Sequence, residues 1–282
     1  MKRKVILIVI FVAGFSIFLF PFISNWYFTN MHVTITSDYD EMISNMDTAD
    51  LETERANAQA YNEQLYGMPS LLSDPFESDG TDGETGYYNL LNIGEVMGYV
   101  EIPKIDIKLP IYHGTSDDVL SQGVGHMSNT SLPVGGVGTH TVLTGHRGLP
   151  STKMFRELDE MMEGDIFLIN TLDEIMAYQV GEVKIVEPYE TESLEISPDK
   201  DLATLITCDP YMLNTHRMLV IGERVPYDPY GPERAGFVPD DAGAGLNPYL
   251  IAAIVISVIL ATVYYLKRRK KALSALEEGG AP

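Results

Sequence analysis

The 282-residue sequence is short of cysteine, of positive charge and of repetition. It holds one cysteine, Cys208, so no intramolecular disulfide can staple it. It has 19 Lys and Arg against 40 Asp and Glu. Eight of the basic residues form two short runs, Lys2-Arg3-Lys4 and Lys267-Arg268-Arg269-Lys270-Lys271, and of the acidic residues only Glu277 and Glu278 lie in those ends. The stretch between them keeps 11 basic and 38 acidic residues. Such a surface repels phosphate backbones and excludes nucleic-acid binding. There is no internal repeat, which excludes a solenoid or a propeller. The acidic stretch 71–86 lacks the EF-hand spacing, so no metal site is read from it, and nothing calls for a cofactor.

What is present is two apolar ends around a polar middle. Val5 to Ser24 is almost wholly apolar and follows the first basic run. Tyr249 to Leu266 is uncharged and precedes the second. Each is near the ~20 residues that cross a bilayer as a helix. Positive residues stay on the cytoplasmic side, so both termini point inward and the middle lies outside. A cleaved signal peptide is the competing reading of the first run. No small-x-small cleavage site follows it, which favours a retained anchor. The expected home is the cell membrane, with lipid as one partner. An odd cysteine in an exported domain indicates intermolecular pairing or a free reactive thiol.

Along the chain, Met42, Met46, Leu51 and Ala56 recur at loosely helical spacing within 38–67, which predicts one or two surface helices. Residues 71–86 carry three glycines and five acidic residues and read as a loop, with Asp74-Pro75-Phe76 at its start. From Met97 the pattern turns to strands: 98–102, 105–112, 138–144, 165–170, 177–187, 202–207 and 217–224. A helical turn is predicted at 117–122, and a helix at 153–162 with Phe155, Leu158 and Met162 on one face. About eight short strands with few helices indicate a closed barrel or a sandwich. Residues 228–248, rich in Pro and Gly, read as a linker.

Cys208 ends an apolar strand, and Pro210 breaks that strand two residues later. A nucleophilic cysteine needs a base or cationic partner, and its acyl intermediate needs donors for the oxyanion. Of His32, His113, His126, His140, His146 and His216, spacing ranks His146 first. It sits between glycines at a strand end, in Thr144-Gly145-His146-Arg147-Gly148. Arg217 lies nine positions after Cys208 across a turn, so the next strand returns it beside the thiol. His216 then faces the opposite side.

These residues carry a resemblance. Thr204-Leu205-Ile206-Thr207-Cys208 resembles the TLxTC motif of sortases, Leu143 to Pro150 their histidine motif, and Asn214 to Val220 their arginine strand. Asp74-Pro75-Phe76 resembles the lid of class C sortases, the pilin polymerases, and a second span is also a class C feature. The lid aromatic is Phe where some members have Trp. The resemblance implies a mainly β fold: an eight-stranded sortase-type barrel with short helices, an N-terminal helical and lid extension, and two flanking transmembrane helices. The expected organisation is an anchor at 1–24, a helical segment and lid at 25–96, a catalytic barrel at 97–226, a linker at 227–248, a second span at 249–266 and a cytoplasmic tail at 267–282.

It further implies cleavage of LPxTG-like sorting signals between Thr and Gly. Cys208 would be the nucleophile, His146 the acid and base, and Arg217 the oxyanion or backbone holder. The acceptor would be a lysine amine of another pilin. Asp74 would pair with Arg217, and Phe76 would cover the Cys208 sulfur. Three rivals remain at this point: a peptidase that only hydrolyses, a housekeeping sortase that anchors proteins to cell-wall peptide, and a two-span binding or scaffold protein with an inert cysteine.

Overall fold

The computed structural model describes residues 2–66, 72–77, 86–148, 152–228 and 268. All but Arg268 fall in one compact unit, Met1–Pro239. The predicted second span and almost all of the linker lie outside the described residues.

The helix that carries the apolar N-terminal run does not stop at residue 24. It continues as one 43-residue helix, α1 (Lys2–Ser44). Its 10–44 portion includes a stretch apolar and long enough to cross a membrane, none of it buried against protein. Phe11, Phe15, Phe18 and Phe22 follow one another along its surface. The C-terminal turns change role and dock on the folded body. There Tyr39 donates to Met97 O at 3.1 Å and accepts from Leu172 N at 2.7 Å, so one phenol satisfies two buried backbone groups. Helix α2 (Thr48–Leu65) follows, as the spacing predicts. Its Asn62 amide imitates a backbone unit, donating to Leu132 O at 3.1 Å and accepting from Leu132 N at 2.7 Å.

The body is a closed barrel. Its strands are β1 (Gly98–Ile102), β2 (Ile107–His113), β3 (Val124–His126), β4 (Thr139–Thr144), β5 (Ile166–Thr171), β6 (Glu174–Val186), β7 (Asp201–Asp209) and β8 (His216–Val225). Helix α3 (Asp117–Gln122) connects β2 to β3. The order around the barrel is β1-β2-β3-β4-β7-β8-β6-β5. The β2/β3 and β4/β7 pairs are parallel and the rest antiparallel. Closure removes the unpaired edges that an open sheet would present.

The walls around β4, β7 and β8 are covered on both faces. Ala203, Leu205 and Val220 join the main core, whereas Val142, Ile206 and Leu219 join a second cluster with Met127 and Leu194. This two-sided burial explains why β7 reads as an unbroken apolar run instead of an alternating one.

Two features depart from the sequence pattern. β3 has only three residues, one of them Gly125, too few to show a period. The helix predicted at 153–162 is a series of turns ending in a single 3-10 turn, Leu158–Glu160. Met154 sits at φ 39°, and Phe155 N donates to His146 O at 3.1 Å instead of continuing a helical ladder. Met161, not Met162, is the buried methionine beside Phe155 and Leu158. Tertiary contact with the histidine loop has overridden a local helical pattern.

Candidate active site

Two pairings of β7 bring the site together. In the parallel pairing with β4, Thr144 lies opposite Ile206, so Gly145 and His146 leave the barrel at the end where Cys208 emerges. In the antiparallel pairing with β8, Cys208 lies directly opposite Arg217. Directly opposed residues share a face, so the thiol and the guanidinium point the same way. Asp209 pairs with His216, which therefore faces away, as expected, and its Nε2 lies 3.4 Å from Glu187.

The turn between β7 and β8 holds the arginine. Leu213 N and Asn214 N both donate to Pro210 O at 3.0 Å. Arg217 Nη1 in turn donates to Asn214 O at 3.0 Å and to His216 O at 2.9 Å. That leaves Nε and Nη2 as a fork, and the fork is filled by Asp74. Nε donates to Oδ1 at 2.8 Å and Nη2 to Oδ2. The two side chains are 9 % and 5 % exposed, so this is a desolvated bidentate pair and not a surface one.

The rest of the lid follows from Asp74. Its Oδ1 also accepts from Phe76 N at 3.3 Å, and Glu77 N donates to Asp74 O at 3.1 Å, a tight turn around Pro75. The Phe76 ring centroid lies 5.7 Å from that of His146 and 5.0 Å from Arg217 Cζ. Leu72 and Phe76 pack on the second cluster, against the barrel wall. The resemblance implies a contact of Phe76 with the Cys208 sulfur; the contacts that fix the ring here are with His146 and Arg217. Pro75, Val186, Leu194, Ile206, Arg217 and Leu219 line a small, shallow groove beside the lid.

The covered site favours neutral groups. Cys208 is 7 % exposed. Burial pushes its thiol above the ordinary range, Arg217 opposes that shift and Asp74 adds to it. Burial pushes the His146 imidazole below its ordinary range, against the pull of the Asp117 carboxylate. With the lid in place, the pair rests as thiol and imidazole.

The other histidines have structural partners. His113 bonds Leu90 O at 2.7 Å, and His140 bridges Glu195 O (2.9 Å) and Thr204 Oγ1 (2.7 Å). His126 bonds Tyr87 (2.8 Å) and Ser131 O (2.9 Å), and His32 bonds Gln122 O at 2.7 Å. The pattern of the chain did not single out Asp117 or Gly145. A Cβ on Gly145 would sit 2.7 Å from the Phe155 ring, so only glycine lets the histidine loop lie this close. Among the described residues no cluster of His, Cys, Asp and Glu is arranged to hold a metal.

Residues 100–225 match the family model of the Sortase domain. A sortase C structure from Streptococcus pneumoniae, described for its catalysis and pilin substrate specificity, is 48 % identical with a TM-score of 0.64, covering 69 % of this chain and 97 % of that one. Sortase C1 of pilus island 1 from group B Streptococcus is 39 % identical with a TM-score of 0.66, over 71 % of this chain and 95 % of that one. Sortase D of Bacillus subtilis is 33 % identical over 135 residues, which is 47 % of this chain and just under two thirds, 65 %, of that protein. With an eight-stranded closed barrel, that domain match and these likenesses, the chain belongs to the sortase family of cysteine transpeptidases, with class C sortases as its structural neighbours.

Proposed function

We propose that this is a membrane-anchored class C sortase that cleaves an LPxTG-like sorting signal between Thr and Gly and joins the Thr to a lysine amine of another pilin. The observation that carries the reading is the register of Cys208 opposite Arg217, beside the His146 loop and beneath the Asp74–Phe76 lid. A lid of this kind, on top of the barrel, favours pilin assembly over cell-wall anchoring.

Once the lid is displaced, the Cys208 thiol proton passes to His146, and the resulting thiolate attacks the Thr carbonyl carbon. The carbonyl oxygen takes the negative charge, and the Arg217 fork stabilises it or holds the adjoining backbone. Collapse of the intermediate breaks the C–N bond, and the His146 imidazolium gives its proton to the departing glycine amine. The Thr acyl group remains on sulfur as a thioester. A lysine amine then attacks the thioester, His146 takes its proton, and Cys208 leaves as thiolate. Both atoms and charge return to the starting state, with an isopeptide bond formed.

The lid sets the condition for the first step. Arg217 cannot serve substrate while Asp74 fills its fork, and Asp74 raises the thiol's affinity for its proton. Substrate must therefore displace the lid, which carries Asp74 into water and lets Arg217 act on Cys208 alone. The N-terminal part of α1 and the run at 249–266 would cross the membrane, with both termini cytoplasmic and the barrel outside.

The test is incubation of the full-length chain in detergent with a sorting-signal peptide and a lysine-bearing acceptor pilin, read by mass spectrometry. The expected product is a Thr–Lys isopeptide, absent with Cys208→Ala. Release of Thr carboxylate alone, with no isopeptide, sinks the polymerase reading.

A further inference from the structure

Arg147 directly follows the histidine, and it is charged yet only 7 % exposed. A buried guanidinium needs its charge compensated, because an uncompensated charge in the interior is heavily disfavoured. Here both Nη nitrogens are paired, and Nε has no hydrogen-bond partner among the described residues. Nη1 donates to Oδ1 of Asp209, the residue after Cys208. Nη2 lies 2.7 Å from Oδ2 of Asp159, in the 3-10 turn after the histidine loop.

The other side of the histidine is tied in the same way. Gly145 N donates to Ile206 O at 3.0 Å. Gly145 O accepts from Thr207 Oγ1 at 2.8 Å. The two residues that flank Cys208 thus grip the two residues that flank His146. The His146 carbonyl itself is held by Phe155 N at 3.1 Å. Thr207 and Asp209 lie on the face of β7 opposite Cys208, so the grip uses side chains that the reaction leaves free.

The chemistry gives such a grip a purpose. A proton donor must lie within hydrogen-bond reach of the leaving nitrogen, and a misplacement of about 1 Å costs on the order of a hundredfold in rate. We propose that Arg147, anchored on Asp209 and supported by Asp159, is a positioning residue that sets where His146 stands relative to Cys208. The proposal rests on the roles of Cys208 and His146 given above. A guanidinium suits the task because its planar fork reaches two carboxylates at once, whereas a lysine ammonium on one flexible stem engages one.

The test is steady-state transfer of a sorting-signal peptide by the full-length chain in detergent. It compares wild type, Arg147→Gln, Arg147→Lys, Asp209→Asn, the Arg147→Gln/Asp209→Asn double variant and Cys208→Ala. With the positioning role, Arg147→Gln lowers kcat about 30- to 100-fold and leaves KM within twofold. Asp209→Asn has a similar effect, the double variant is no worse than either single, and Arg147→Lys recovers part of kcat. A generally loosened fold would instead raise KM, and the two single effects would multiply. If Arg147→Gln does not fold, Arg147→Lys and Asp209→Asn carry the comparison. A kcat within threefold of wild type in these variants, or effects that multiply in the double, overturns the proposal. Persistence of transfer in Cys208→Ala would instead overturn the catalytic reading on which it rests.

Discussion

The segments on either side of the acidic stretch 78–85 cover the same barrel by opposite physics. Before it, Leu72–Glu77 is held by one carboxylate in one arginine fork and one ring set against His146. After it, Tyr87 to Met97 is held by burial and by hydrogen bonds that are neutral apart from Leu91 N to Glu54 Oε2 at 3.3 Å. Tyr87 is 1 % exposed; its hydroxyl accepts from Gly114 N at 3.1 Å and lies 2.8 Å from His126 Nδ1. When this buried pair separates with both partners returning to water or substrate, the recovered hydration offsets the lost attraction. A buried phenol inside a hydrogen-bond network has no comparable alternative. The proposed lid role suits the first segment, and the second has no such exchangeable contact.

Each histidine shows the same contrast. His126 Nε2 donates to Ser131 O, and because burial holds the ring neutral its Nδ1 accepts from the Tyr87 hydroxyl. Burial pushes its pKa down to about 4. His146 is only partly buried, and Asp117 opposes the effect of burial. The interior histidine is locked, and the site histidine remains able to take a proton.

The largest effect that would break this comparison is at Tyr87. Tyr87→Ala should cost about 3–5 kcal/mol in stability, read by denaturant unfolding, from the lost ring and the stranded polar groups. A loss below 1 kcal/mol would mean that the trailing segment is no firmer than the lid. Next in size is acid sensitivity. The native pKa of His126 lies below its ordinary 6.5, so between about 4 and 6.5 the unfolded chain binds the extra proton. Its contribution is therefore complete above pH 6.5 and falls by about 3 kcal/mol as the pH approaches 4. Unfolding at pH 7 and pH 4.5 should show this loss, and His126→Gln should flatten it.

Gly145→Ala comes third. The new methyl would press on the Phe155 ring and should cost about 1–3 kcal/mol, with a larger proportional loss of transfer as the histidine loop shifts. The smallest stability effect, below that of Gly145→Ala, is expected from Asp74→Ala with Phe76→Ala, since losing the ring along with the carboxylate opens the Arg217 guanidinium to water instead of leaving it buried and unpaired. Its signature is chemical. Removing the carboxylate and part of the burial should lower the thiol pKa, so alkylation of Cys208 becomes faster and its pH midpoint falls. Equal alkylation rates with and without the lid would remove the gating role.

Much of the barrel is visible in local pattern. Seven of its strands appear as apolar or alternating runs, the first with its exact bounds and the others with ends shifted by at most three residues. The eighth, Val124–His126, is too short to announce itself. The turns at 153–162 fail for a different reason. Their apolar spacing is real, but Phe155 spends its amide on His146 O and its ring on Gly145, which no local rule foresees. At the site, Cys208 and Arg217 are legible because a hairpin makes sequence distance a guide to register. His146 is joined to them only by a parallel pairing across 62 residues, and parallel partners leave no local trace.

The sequence by itself determined an acidic chain with a long apolar N-terminal run and a single cysteine, since charge, apolar length and cysteine count are properties of composition. Motif and order then sufficed to point to the family. Only the tertiary structure decided that α1 runs unbroken onto the barrel and that Asp74 fills the Arg217 fork at rest. It alone also decided that the neighbours of Cys208 grip the neighbours of His146. Those facts depend on which residues meet across long stretches of chain, and contact at a distance is set by packing and pairing of the whole barrel rather than by any run of residues.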